Sequence, residues 1–165
     1  MKIDLKRCVL SILDGSIPAE EIDITVGEGN LTYVERKNMN YVLDRGVLDD
    51  VVEGDEVPID VSFEFTWEYI SGQTSGSGAT PTIEDALKQL NLASTWVSTD
   101  ADACRPYSVD LRVVHTPSPA NCGDIETTTL SDFRYEELNH DLRAGTVSCT
   151  GKCNVTEATV ARTAQ

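Results

Sequence analysis

The stretch from Val57 to Glu68, continuing to Ile70, alternates without interruption between apolar residues at odd positions and more polar residues at even positions. A period of two predicts an extended strand, because successive side chains of a strand point to opposite faces. At about 3.3 Å per residue, Val57 to Ile70 would span roughly 45 Å, well beyond a usual strand of about five or six residues. The pattern therefore predicts a long strand whose apolar face must be covered and whose other face carries carboxylates.

The length of 165 residues suits one well-buried core, so we expect a single domain over residues 1–165. The hydrophobic fraction of 40% and the charged fraction of 25% are ordinary for a soluble globular protein, and no window resembles a membrane-spanning helix. The apolar run from Cys8 to Leu13 is short and lacks a small-residue cleavage site, which does not favour a signal peptide. We therefore expect synthesis in the cytoplasm and no membrane partner.

Negative charge is concentrated in the first half of the chain. The formal net charge is −15, and the segment from Asp14 to Glu68 holds fifteen acidic residues against three basic ones. A surface that grips nucleic acid needs Lys and Arg to displace counterions from phosphate, so this segment is expected to repel DNA. A solvated acidic surface is the ordinary explanation of such a pattern.

Shorter alternating segments predict further strands before and after the centre of the chain. They are Ile22–Val26, Leu31–Glu35, Met39–Leu43, Tyr107–His115, Ile125–Tyr135 and Ala144–Val155. Ser131 and Asp132 interrupt the fifth of these and are expected to break it.

One segment has the spacing of an amphipathic helix. Ile83, Ala86, Leu87 and Leu90 follow the i, i+3, i+4, i+7 pattern, and Thr82 is placed to cap the amino terminus. Asn91 is placed to end the helix. Strands before and after one helix predict a mainly β fold, an antiparallel β-sandwich or barrel with one flanking α-helix.

Two segments lack regular periodicity. Asp44–Glu56 mixes apolar residues with acids, which favours a protruding loop or arm that orders against a partner, and a solvated turn explains it equally well. Within it, Leu48, Asp49, Asp50 and Val51 are the candidate contacts with a neighbouring subunit or ring. Residues 71–80, SGQTSGSGAT, predict a flexible connector.

The cysteines and histidines do not form a standard metal motif. Cys149 and Cys153 with His115 or His140 could in principle bind zinc, but their spacing fits no standard ligand pattern, so buried thiols are the simpler expectation. A bridge between Cys104 and Cys122 would require the two ends of the Tyr107–His115 strand to meet, and a cytoplasmic origin favours reduced thiols. No cofactor is expected.

Catalytic signals are weak. The chain has no phosphate-binding glycine motif, and neither histidine lies in a recognisable nucleophile motif. Asp60, Glu64 and Glu68 share one strand face, as the carboxylates of a glycosidase might, but any amphipathic strand produces this spacing. The sequence therefore predicts a protein that is not an enzyme.

The segments from Thr25 to Ile70 and from Phe133 to Val155 resemble the tail tube (major tail) proteins of long-tailed bacteriophages. The resemblance implies a β-sandwich with a flanking helix, six copies in a ring, and stacked rings whose inner strands form one shared barrel around a DNA channel. It also implies a place in the virion tail after synthesis in the host cytoplasm.

On this interpretation, the chain is a structural protein whose main partner is itself. The tape measure, tail terminator and tail-tip proteins are further expected partners, and DNA passes through without specific binding. Asp60, Glu64 and Glu68 are then the candidate channel-lining residues, because a channel free of cations does not hold phosphate. The alternatives are a tail-tip or terminator ring protein, a monomeric β-sandwich ligand-binding module and, less favoured, a hydrolase that uses those carboxylates.

Overall fold

The computed structural model describes residues 8–24, 31–66, 80–117 and 123–164. Within these ranges the chain forms ten strands, one α-helix and a short 3-10 helix at Asn91–Ala93. The strands are β1 Cys8–Leu13, β2 Glu21–Ile24, β3 Leu31–Val34, β4 Met39–Asp44, β5 Val47–Glu53, β6 Ile59–Thr66, β7 Val109–His115, β8 Ile125–Asp141, β9 Thr146–Cys153 and β10 Thr159–Thr163, and the helix is α1 Ile83–Lys88.

The strands form one large sheet and one small one, and every described strand pair is antiparallel. The order in the large sheet is β2-β1-β7-β8-β9-β6-β3, with β10 also paired to β8, while β4 and β5 pair with each other. The prediction of a mainly β, antiparallel fold with one flanking helix is therefore confirmed.

The alternating stretch forms β6, and its pattern is the one that the sequence predicts. Ile59, Val61, Phe63 and Phe65 are buried, and the residues between them are partly or fully exposed. Phe63 also packs against Phe133 of β8, with ring centroids 5.9 Å apart. The described strand is shorter than predicted, since it begins at Ile59, and residues 67–70 lie outside the described part of the chain.

The long strand β8 has 17 residues and connects two parts of the large sheet. Its first half pairs with β7 and β10, and from Phe133 onward it pairs with β9. Residues of both parts pack into one hydrophobic core. This core includes Leu10, Ile12, Ile59, Val61, Phe63, Phe65, Val109, Leu111, Leu130, Phe133, Val147 and Cys149.

The predicted break at Ser131 and Asp132 is wrong, because β8 continues through both residues. Asp132 has a positive φ of 55°, and the pairing with β7 shifts register at this point. The Asp110 carboxylate accepts a hydrogen bond from the Asp132 backbone N–H at 3.0 Å. This bond supplies a partner to a backbone N–H next to a register shift, where ladder bonding is disturbed.

The helix begins as predicted and ends earlier. The Thr82 hydroxyl accepts a hydrogen bond from the Asp85 N–H at 3.2 Å, which caps the first turn. Gln89 adopts a left-handed conformation with φ 56° and terminates α1, so Leu90 lies beyond the helix and is half exposed. The Tyr107 hydroxyl donates to the Ala86 carbonyl at 2.9 Å and attaches the helix to the start of β7.

A buried carboxylate fastens the loop between α1 and β7 to the sheet. Asp100 accepts hydrogen bonds from the Asp102 N–H at 3.0 Å, from Arg134 of β8 at 2.8 Å and from Arg105 at 3.3 Å. These donors lower the pKa of Asp100 to about 2, against the opposing effect of burial. The loop is therefore held by a charge that persists down to low pH.

Candidate assembly surface

β4 and β5 form a hairpin that we call the arm, residues 39–53. Its turn consists of Arg45 and Gly46, which both have positive φ, the pair of conformations that closes a two-residue hairpin. Every residue of both strands is exposed. The range 44–56, expected to be a protruding loop or arm or else a solvated turn, contains an exposed strand from Val47 to Glu53 that forms one side of this hairpin.

A register shift determines which side chains share a face of the arm. Val42 pairs with Asp50, but the next residue, Leu43, pairs with Leu48. Asp49, which lies between Leu48 and Asp50, has no partner on β4. It is therefore the extra residue of a β-bulge. The bulge therefore places Leu48 on the same face as Leu43.

The two faces of the arm differ in polarity, because residues directly opposite each other in a ladder share a face. One face, which we call the apolar face, carries five apolar residues and one acid, whereas the other face is mixed. The apolar face consists of Met39, Tyr41, Leu43, Leu48, Val51 and Glu53, and the mixed face of Asn40, Val42, Asp44, Val47, Asp50 and Val52. Of the predicted contacts, Leu48 and Val51 come together on the apolar face, while Asp49 lies in the bulge and Asp50 on the mixed face.

Hydrogen bonds close the base of the arm by joining the segment that leads into β4 to the segment that follows β5. Gly54 N–H donates to the Asn38 carbonyl at 2.8 Å, and the Asn38 side chain donates to the Asp55 carbonyl at 3.1 Å. A Cβ at Gly54 would lie 3.1 Å from the Asn38 Cβ, so the two strands approach closely here. The two legs of the arm are therefore held together at its base, and along the chain they connect it to β3 and to β6.

The second candidate surface is the side of β6 that faces away from the core. Asp60 and Glu64 lie on this side together with Ser62 and Thr66, as the sequence predicts, and Glu68 lies outside the described residues. Opposite them on β9 are Lys152, Thr150, Ser148 and Thr146. The face is therefore rich in hydroxyl groups and carries charges of both signs.

Asp60 is paired with two cations. Arg36 donates a hydrogen bond to its Oδ2, and the Lys152 Nζ lies 3.5 Å from its Oδ1. The hydrogen bond from Arg36 is the largest effect and lowers the pKa of Asp60, desolvation opposes it, and the charge of Lys152 lowers the pKa further. The charge of Asp60 is compensated within one copy, so Glu64 is the uncompensated acid of this face among the described residues of β6.

The solved structures that are similar to the chain include two from contractile injection particles. One is a chain in the cryo-EM structure of an extracellular contractile injection system, the PVC sheath/tube terminator in its extended state, with a TM-score of 0.53, 11% sequence identity, and coverage of 98% of this chain and 97% of that one. The other is a chain in the six-fold symmetrised structure of the anti-feeding prophage (AFP) baseplate, with a TM-score of 0.47, 13% identity, and coverage of 98% and 96%. The first likeness establishes the fold.

No protein-family model matches the sequence, and no curated protein matches it either. The likeness therefore comes from the three-dimensional fold, whereas the sequence identity to the first neighbour is 11%. At this identity it carries no residue-by-residue correspondence, so each side chain of the candidate surfaces has to be interpreted from its own contacts.

Two cysteines of the core have buried thiols. Cys149 and Cys153 are both buried free thiols, and burial raises the pKa of each to about 12. Cys104 is an exposed free thiol, and Cys122 lies outside the described residues.

Over residues 8–24, 31–66, 80–117 and 123–164, no group of three or more His, Cys, Asp or Glu residues is arranged to hold a metal ion. None of the described helices has the length and apolarity needed to cross a membrane.

Proposed function

We propose that this chain is a structural protein that assembles into stacked rings of six copies and forms the tube of a phage-tail-like particle. The observation that carries the proposal is the apolar face of the arm. Tyr41, Leu43 and Leu48 are each 60% or more exposed, and they lie on the same face of the β4–β5 hairpin. A contiguous apolar surface of this kind marks an interaction site.

Burial of these side chains in an interface favours binding by the arm. Each fully buried aliphatic or aromatic side chain contributes about 1.5–3 kcal/mol relative to leaving it in water. Within the described part of the chain, nothing covers the arm, since all residues of β4 and β5 are exposed. In the proposed tube, a neighbouring copy covers the apolar face.

Open sheet edges support assembly as well. Over the described residues, β2 pairs only with β1, β3 pairs only with β6, and all five residues of β10 are exposed. An unpaired edge presents unsatisfied N–H and C=O groups, and closing a ring of subunits into a shared barrel satisfies them. The fold shared with a chain of a contractile injection system structure fits the same role.

The polar side of β6 is proposed to face the channel, with Glu64 and Glu68 as the acids that keep DNA from binding. Asp60 contributes less to this lining than the sequence pattern predicts, because Arg36 and Lys152 neutralise it. Tape measure, tail terminator and tail-tip proteins are the proposed partners beyond other copies of the chain, and the virion tail is the proposed location. The proposed role is structural and not enzymatic.

A second candidate is a terminator ring at the end of such a tube. The match to a chain of a sheath/tube terminator structure, over almost the full length of both chains, favours it. A tube subunit must stack on further copies of itself, whereas a terminator forms one ring that stops growth. The two candidates therefore differ in whether the purified chain makes long tubes.

Negative-stain electron microscopy of the concentrated protein tests both candidates. Long tubes support the tube subunit, and single rings without stacking support the terminator. Monomers alone, even at millimolar concentration, would instead support the monomeric ligand-binding module and contradict both ring proteins.

A further inference from the structure

The arm and the β8–β9 turn lie at opposite ends of the same strands. The arm joins β6 at Ile59, whereas Thr66 at the other end of β6 pairs with Thr146, which follows the turn. Seven residue steps of about 3.3 Å separate the two ends of β6, or about 23 Å. The arm therefore extends from one end of this part of the sheet, and the turn from the other.

The turn, residues 141–145, is held in shape by its own hydrogen bonds. The Asp141 carboxylate accepts bonds from the Arg143 and Ala144 N–H groups at 3.0 and 3.1 Å, and Gly145 N–H donates to the Asp141 carbonyl at 2.8 Å. Gly145 has φ 68°, which only glycine adopts readily. Three backbone N–H groups of the turn are thus bonded to Asp141, within the turn itself.

This hydrogen-bonded turn presents an apolar side chain and a cation. Leu142 is 73% exposed, the most exposed leucine of the described residues. Arg143 is also exposed, and its guanidinium forms no ion pair with a described residue. The arm carries the complementary features, since it has an apolar face and a net negative charge: its acids are Asp44, Asp49, Asp50 and Glu53, of which only Glu53 lies on the apolar face, and Arg45 is its one basic residue.

We propose that the apolar face of the arm docks on the β8–β9 turn of a second copy, with Leu142 packed against Leu43 and Leu48 and Arg143 placed beside the acids of the arm. This inference rests on the proposed function and adds the acceptor surface. Because donor and acceptor lie at opposite ends of one copy, the contact is heterologous and repeats from ring to ring. Each copy gives one arm and receives one.

Site-directed crosslinking tests the contact. Two full-length variants, Leu48→Cys and Leu142→Cys, are made in a background with Cys104→Ser and Cys122→Ser, one of them with a longer tag. After mixing under conditions of assembly, a short bismaleimide should join Leu48→Cys chains to Leu142→Cys chains. Val160→Cys is the matched control, because Val160 is exposed and pairs with Thr128, at the other end of β8 from the turn.

The expected result is a mixed dimer from Leu48→Cys and Leu142→Cys, with at most trace product from the Val160→Cys control. Equal yields in both mixtures, or joined pairs of Leu48→Cys chains, would overturn the inference. Tubes in the microscope without the mixed dimer would overturn the acceptor and leave the proposed function standing. Absence of any assembly would overturn both.

Charge reversal gives a second measurement that does not need new thiols. Arg143→Glu should raise the protein concentration needed for assembly by about tenfold or more, because it places like charges together at the contact. Arg143→Lys, which keeps the charge, should assemble near the wild-type concentration. Identical assembly of both variants would overturn the role of Arg143 and with it the proposed charge complementarity.

Discussion

Leu43 lies directly opposite Leu48 across the arm, although a regular continuation of the ladder from Val42 and Asp50 would place Asp49 there. The bulge removes an acid from this face and replaces it with an aliphatic side chain. Together with Tyr41 opposite Val51, this pairing makes a continuous apolar strip along an exposed hairpin. The strip is the feature that the proposed assembly depends on.

The double change Leu48→Asp and Val51→Asp should block ring stacking without unfolding the monomer. Both side chains are at least half exposed, so the free energy of unfolding should change by only about 0.5 kcal/mol per substitution. Each loses a contact worth about 1.5–3 kcal/mol in the assembled state. Sedimentation velocity measures assembly, and circular dichroism measures folding.

The matched control for that variant is Val47→Asp with Val52→Asp. It adds the same charge to the same strand, but on the mixed face. The control should assemble better than the first variant. Equal loss in both would mean that added charge, and not the apolar face, determines stacking.

Stability should fall in acid because of Asp100. Its pKa is lowered to about 2 in the fold, whereas an unfolded aspartate has a pKa of about 3.9. A lowered pKa contributes stability that is fully present above about pH 4 and is lost as the pH falls toward 2. Thermal unfolding from pH 7 to pH 2 should show that Asp100→Asn is less stable at pH 7 and that its deficit shrinks in acid. Asp55→Asn, at an exposed site, should run parallel to wild type.

Gly151→Ala should destabilise the junction of β8 and β9. A Cβ at this position would overlap the Arg134 carbonyl oxygen and lie 2.8 Å from the Phe133 ring. Such overpacking costs about 1–3 kcal/mol, which should appear as a lower denaturant midpoint with an unchanged slope. Thr150→Ala, at the exposed neighbouring position, should keep the wild-type midpoint within error.

Glu64→Lys should slow DNA passage if the polar side of β6 lines the channel. Six copies would bring six ammonium groups into each ring, and phosphate contacts of this kind weaken steeply with added salt. Particles should look normal, and ejection should be slow at low salt and restored at high salt. Glu64→Gln, which adds no cation, is the control. Normal ejection by Glu64→Lys at low salt would show that the polar side of β6 does not line the channel.

The alternation of β6 and the start of α1 could be predicted because both depend on neighbouring residues. Burial of Ile59, Val61 and Phe63 follows from a period of two, and the Thr82 cap from a spacing of three. The end of α1 is different, because Gln89 adopts a left-handed conformation there and its side chain donates to the Trp96 carbonyl at 2.6 Å, beyond the helix. Nothing in the helical pattern itself indicates this contact.

The arm and the acidic face show why the site was only partly predictable. A bulge at Asp49 disturbs the period of two, so the segment from Val47 to Glu53 looked irregular although it is a strand. The cations that neutralise Asp60 come from Arg36 and Lys152, on other parts of the chain. The pattern of one strand cannot show which charges its neighbours bring.

β10 and the continuation of β8 cannot be predicted from the sequence pattern for a related reason. All five residues of β10 are exposed, so it has no buried face and no apolar period. In β8, Asp132 looks like a turn residue, but the distant Asp110 carboxylate binds its N–H and the strand continues. Both features depend on pairing partners that lie far away in the sequence.

The mass of the assembled species tests the central claim most directly. One chain has a mass of 18.0 kDa, so a ring of six copies has six times that mass, about 108 kDa. Sedimentation velocity over a range of concentrations should show a species of about 108 kDa, or multiples of it, in equilibrium or coexistence with the monomer. A single 18.0 kDa species at every concentration would contradict the claim that this chain builds rings.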